Sequence, residues 1–162
     1  MAISTEAVFI SWIVFGALIL VLWLDTQHMP TIKIVRKTLT AADITGMTNT
    51  EVVTIIPSIT GKRIMVFDAS LSVTEGTIGF TSAAGANTVS LYSGASASVI
   101  SGTWDKTVFT TEASTIPALL PVFKGTRSTS IGDDLTIGLA NATPVFATGN
   151  GTAVVTVRYY EV

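Results

Sequence analysis

A chain of 162 residues with 12% charged side chains and a mean hydropathy of +0.60 fits one compact domain carrying an appendage that leaves water. Its 9 Lys and Arg against 11 Asp and Glu include no long basic run to neutralise a phosphate backbone, which argues against a nucleic-acid partner. Cys is absent, so disulfides, thiolate metal sites and a cysteine nucleophile are excluded.

Ala7 to Leu24, AVFISWIVFGALILVLWL, is an 18-residue run without a charge. A helix of that length spans roughly 27 Å of a hydrocarbon layer about 30 Å thick. Ala7, Phe9, Trp12, Phe15, Leu18, Leu22 and Trp23 are the expected membrane-anchoring side chains, with Trp23 placed where an interfacial ring sits. Only Ser11 and Gly16 interrupt the apolar surface, whereas a buried core helix usually keeps a polar stripe. MAISTE carries no Lys or Arg and the run ends in bulky LVLWLD, so the sequence predicts a retained single-pass helix rather than a cleaved signal peptide. Lys33, Arg36 and Lys37 follow the run and no cation precedes it, which predicts a translocated N-terminus and a domain on the cytoplasmic side.

Residues 26–50 read as a stalk between this helix (1–25) and a domain over 51–162. The stretch TIKIVRKTL alternates weakly, and Lys33, Arg36 and Lys37 are candidate contacts to lipid headgroups. A solvated linker strand accounts for them equally well.

Beyond residue 50 the periodicity becomes that of strands. EVVTII (51–56), KRIMVFDASLSV (62–73), GTIGFTS (76–82), NTVSLYS (87–93), KTVFTT (106–111), ALLPVF (118–123), DLTIGLA (134–140) and TAVVTVRYYEV (152–162) are short and rich in Val, Ile, Thr and aromatics. Gly-bearing separators such as AAGAN, SGASAS, SGTWD and TGNG supply turns. No stretch between them is long enough for a βαβ crossover, so the chain is predicted mainly β, an antiparallel sandwich or jelly roll behind a single transmembrane helix.

Catalytic chemistry finds little support. The single His, His28, cannot by itself assemble a triad or a His-based metal site. Asp133 and Asp134 follow a glycine turn without the D-x-D-x-D-G spacing of a calcium loop, and a solvated turn explains them. The sequons at Asn141 and Asn150 matter only in a eukaryotic secretory setting. No nucleophile elbow, phosphate loop or dinucleotide fingerprint occurs. No catalytic residue, metal or cofactor is therefore expected. Trp104, read as exposed, and the pair Tyr159 and Tyr160 are the candidate protein-contact aromatics, because large aromatics contribute most per residue at interfaces; core packing is the plainer alternative for them.

GKRIMVFDASLSV, then GTIGF, then LLPVFKGTRSTSIGDDLTIGLANATPVFATGNGTAVVTVRYYEV resembles the small β-sandwich structural proteins, capsid-associated or decoration-type, of tailed and membrane-containing bacteriophages. The resemblance covers roughly residues 51–162 and rests on strand pattern. It implies a non-enzymatic virion component, oligomeric, contacting copies of itself or other capsid proteins. Ordinary decoration proteins lack the helix; viruses with an internal lipid membrane use bitopic subunits that tie membrane to shell or build a vertex. Such a subunit passes through the host membrane during assembly and ends in the virion. Type IV pilins and related filament subunits also place an apolar helix before a β domain, which gives the alternative of a filament subunit, although Glu6 matches their N-terminal Glu only approximately.

Overall fold

The computed structural model describes Ala17 and residues 30–74, 76–82, 88–94, 98–110, 118–119, 128–142 and 146–162. The chain divides into two units, 1–31 and 32–162. All but three residues of the first lie outside the described residues, including the expected membrane run apart from Ala17. Among the described residues no helix is long and apolar enough to cross a membrane.

The second unit begins at Ile32, earlier than the expected boundary at residue 51. Strand β1 (Lys33–Leu39) pairs antiparallel along its whole length with the last strand, β10 (Thr152–Glu161). The short helix α1 (Ala41–Gly46) follows directly. A capping box starts it: Thr40 Oγ1 accepts from the Asp43 amide at 3.2 Å, and Asp43 Oδ2 accepts from the Thr40 amide at 2.8 Å. That arrangement satisfies two orphan amides at the helix start. Leu39, Ile44 and Met47 are fully buried, so residues 33–47 belong to the domain rather than to a stalk. The physical reason is that an edge strand tolerates the charges that made this segment read as solvated.

Two four-stranded antiparallel sheets form the body. The first runs β1-β10-β3-β7, with β3 at Ile64–Thr74 and β7 at Ala118–Leu119. The second runs β2-β8-β5-β6, with β2 at Val53–Ile56, β5 at Thr88–Ser93, β6 at Ser98–Asp105 and β8 at Leu135–Leu139. A short pair, β4 (Thr81–Ser82) and β9 (Phe146–Thr148), stands apart. Leaving that pair aside, the chain alternates between the sheets: β1 and β3 lie in the first, β2 in the second, then β5 and β6 in the second, β7 in the first, β8 in the second and β10 in the first. First and last strands are neighbours, and so are β2 and β8. This is the connectivity of a jelly roll, two interlocked Greek keys.

Burial follows the pleat. On β3 the inward residues are Ile64 and Val66, then Ala69, Leu71 and Val73. The three-residue step between Val66 and Ala69 breaks the period of two. A register shift accounts for it: Tyr159 of β10 faces Val66 and Arg158 faces Asp68, leaving Phe67 as the extra residue of a β-bulge. Ala153, Val155 and Val157 of β10 meet Val89 and Leu91 of β5 and Leu135, Ile137 and Leu139 of β8 in one continuous core.

KTVFTT, expected as a strand, contains instead the single helical turn α2 (Thr107–Thr110). Asp105 Oδ1 accepts from the Thr107 amide at 2.8 Å, and that bond holds the Asp105 carboxyl below its ordinary range. The turn drives Phe109 into an aromatic cluster with Phe80 and Phe146, at centroid distances of 6.4 and 5.1 Å.

The β9–β10 turn packs closely against the segment after β3. Asn150 Oδ1 accepts from the Ile78 amide at 2.8 Å, and its Nδ2 donates to Thr77 Oγ1 at 2.8 Å. A Cβ on Gly151 would lie 2.4 Å from the Thr74 carbonyl oxygen and 3.0 Å from the Gly76 amide nitrogen, and backbone atoms cannot rotate aside. We expect Gly151→Ala to destabilise the domain by about 1–3 kcal/mol, as overpacking does. Thermal unfolding followed by circular dichroism should show the midpoint lowered, and an unchanged midpoint would mean that this approach is looser than described.

Candidate functional site

The sequence-predicted site residues fall in three places. Ala7, Phe9, Trp12, Phe15, Leu18, Leu22 and Trp23 lie outside the described residues, as does His28. Trp104 is 3% exposed, which corrects the expectation of an exposed contact anchor: it points from β6 into the core opposite Val89. Its flanking Ser and Gly read as a solvated turn, but β6 is a strand made by pairing with β5. Tyr159 is half-buried and packs against the core, while Tyr160, also half-buried, stands next to it on the opposite side of the β10 pleat.

Lys33, Arg36 and Lys37 all sit on β1 but do not share a face, because successive strand residues alternate. Lys33 and Lys37 are in phase with Val35, whose side chain packs on the core; Arg36 is in phase with exposed Ile34 on the outer face. One patch of three cations toward a headgroup layer is therefore not what this strand presents.

Lys33 is committed elsewhere. Its ammonium and that of Lys62 flank the Glu161 carboxylate, Lys33 on Oε1 and Lys62 on Oε2, the latter at 3.1 Å. This joins the start of β1, the approach to β3 and the end of β10. Paired amide–carbonyl bonds between Arg63 and Val162, 2.7 and 3.1 Å, extend the same closure. The hydrogen bond from Lys33, then that from Lys62, hold the Glu161 carboxyl below its ordinary value of 4.5, and the bond to Glu161 raises Lys33.

A folded-state carboxyl with a lowered pKa adds stability above its unfolded value, and that stability is lost as pH falls through the lowered folded one. The raised Lys33 adds its share below its unfolded value, lost only at strongly alkaline pH. Acid unfolding below about pH 4.5 should therefore include a component that Glu161→Gln removes, with the variant already less stable at pH 7. Denaturant midpoints across pH 3 to 7 measure this; parallel curves for the two proteins would deny Glu161 that role.

Asp133 and Asp134 hold a turn. Asp133 Oδ2 accepts from Ser93 Oγ at 2.7 Å and Asp134 Oδ2 from Thr54 Oγ1 at 2.9 Å, next to Gly132 at φ 78°. Among the described residues no cluster of three His, Cys, Asp or Glu is arranged to hold a metal ion.

The outer face of the first sheet is the remaining surface with organised polar groups. Register places three rows across β1, β10 and β3: Ile34, Arg158 and Asp68; Arg36, Thr156 and Ser70; Thr38, Val154 and Ser72. Seven of these line a shallow, open depression of 480 Å³. Arg158 donates to Asp68 Oδ2 at 3.2 Å. Arg36 diagonally neighbours Arg158, within reach of long side chains. Ile34 and Ile32 border the face with exposures of 63% and 54%, and the bulged Phe67 is exposed as well. Arg36 is legible in the sequence as a charge, and the alternation of TAVVTVRYYEV sets Thr156 and Arg158 on one face of the last strand, turned to water or to a partner; Ser70 and Ser72 carry no such signal.

No protein-family model matches the chain, and no curated protein matches it. Similar solved chains come from bacteriophage capsids. One belongs to the acidic stable capsid structure of Helicobacter pylori bacteriophage KHP30, with 16% identity and a TM-score of 0.48 over 83% of this chain and 95% of that one. Another belongs to the cyanophage Pam1 capsid asymmetric unit, with 20% identity and a TM-score of 0.47 over 82% of this chain and 86% of that one.

Proposed function

We propose that this chain is a non-catalytic structural component of a bacteriophage particle, its jelly roll joined to the protein shell through contacts with other capsid proteins or with copies of itself. The observation that carries the reading is the strand connectivity, an architecture on which viral capsid domains are built. Fold alone does not imply function; the composition supports the same direction, since one His and no Cys leave few groups for catalysis.

The run Ala7–Leu24 gives the proposal its second half: an anchor in an internal lipid membrane, with the domain toward the shell or at a vertex. Its support is the length and hydropathy of the sequence. Quantitative mass spectrometry of purified particles tests both halves. The chain should be present in a fixed ratio to the major shell protein, and detergent that strips lipid should change its extractability. Absence from washed particles would overturn the virion role, and particles without lipid would overturn the anchor.

A further inference from the structure

We propose that the outer face of the first sheet, with the outer edge of β1, receives an extended acidic segment of a neighbouring protein, its carboxylates seated between Arg36 and Arg158. The inference rests on the reading of the chain as a shell component, which supplies neighbouring proteins.

Four observations support it. Strand β1 pairs with β10 without a break from Lys33 to Leu39 and is terminal in its sheet among the described residues, so one side of its backbone is a regular row of donors and acceptors to which an extended chain can add. Of its cations Arg36 is the one on the outer face, diagonal to Arg158 of β10, in a protein whose net charge is −2; the complementary partner is anionic. The depression beside it has a floor of hydroxyls, Ser70, Ser72 and Thr156, and none of these, nor Arg36, has a hydrogen-bond or ion-pair partner among the described residues. Exposed Ile34 at the rim gives an apolar contact for an alternating strand.

Lys and Arg on an edge strand ordinarily guard against pairing with another edge. That purpose explains the cations on β1, but it asks for neither the hydroxyl floor nor the 63% exposed isoleucine. Planar guanidinium groups bind carboxylates in two-point fashion, and Arg36 and Arg158 lie on adjacent rows where one extended segment passes both. Asp68 occupies Arg158 in the free protein, so an incoming carboxylate competes with it. The few cations here are too sparse to hold a nucleic-acid backbone.

The test uses the full chain in non-ionic detergent and a capped peptide of alternating Glu and Thr, titrated by calorimetry. Saturable binding is expected, weakening with salt, lowered at least about tenfold by Arg36→Glu and strengthened a few-fold by Asp68→Asn, which frees Arg158. The opposite signs separate a binding role from a structural one, and an unchanged thermal midpoint shows that each variant folds. No saturable binding, or binding indifferent to both variants, would overturn the proposal. So would binding to vesicles of anionic lipid without binding to the peptide. Neither failure bears on whether the chain is found in particles, so this inference and the virion role fail separately.

Discussion

A chain shortened to begin at residue 51 is expected not to fold, whereas one beginning at residue 30 unfolds cooperatively. The shorter chain loses β1 and α1, and with them Leu39, Ile44 and Met47, each 0% exposed. Burying a side chain of this size contributes about 1.5–3 kcal/mol, so the three together approach the whole stability of a typical domain, roughly 5–15 kcal/mol. The seven paired positions between β1 and β10 are lost as well. Their loss turns β10 from an inner strand into an open edge, with the template for aggregation that implies. Amide proton dispersion and a denaturant transition distinguish the outcomes. A folded chain from residue 51 would return residues 33–47 to the status of a stalk.

Phe109→Ala should produce the largest loss among single substitutions, about 3–5 kcal/mol, the range for removing a buried aromatic. Phe109 is fully buried and its ring meets Phe80 edge-on, interplanar angle 86°, and Phe146 at a tilt of 51°. Such pairs add to what burial alone gives. These rings come from α2, from the segment before β4 and from β9, so one cavity loosens three pieces of the chain at once. For a domain of this size the thermal midpoint should fall by roughly 10–20 °C. Phe109→Leu, which keeps most of the volume, should lose much less. Equal losses would mean that the ring contacts, and not the filled volume, carry the effect.

The strand character of the domain was legible because Val, Ile and Thr alternate with polar residues in β3, β8 and β10, and the period of two needs no tertiary information. Two antiparallel sheets were expected and are present. Strand β1 was harder. Its alternation is visible in TIKIVRKTL, but three cations in seven residues resemble a linker unless the strand is known to lie at an edge. The capping pattern Thr40 to Asp43, a hydroxyl three residues before an acid, was available to mark a helix start there. Strand β6 was hidden by composition: SVISGTWD reads as a turn, and its pairing depends on Ser101, whose Oγ accepts from the Leu91 amide at 2.9 Å in place of a ladder carbonyl. In KTVFTT the β-propensity of Val and Phe lost to the Asp105 cap and to the burial of Phe109, a tertiary effect that no local pattern contains.

The surface proposed for partners was legible only in half. Arg36 stood out as a charge in a weakly charged chain, and the alternation of the last strand set Thr156 and Arg158 on one face, but Ser70 and Ser72 are unremarkable until register aligns them on β3 beside that face. Trp104 shows the converse error: a large aromatic among small polar residues resembles an exposed anchor, yet the facing strand makes it core. A bulge at Phe67 reverses the inward parity of β3, and it explains why Asp68 reaches the outer face to meet Arg158.

The most direct measurement is an electron cryomicroscopy reconstruction of the particle at a resolution that traces strands. Symmetric copies of a jelly roll at the shell are expected, β1 beginning next to Ile32 and paired with β10, with density of a second chain along the outer face of that sheet. A particle in which no copy of this jelly roll is found would contradict it.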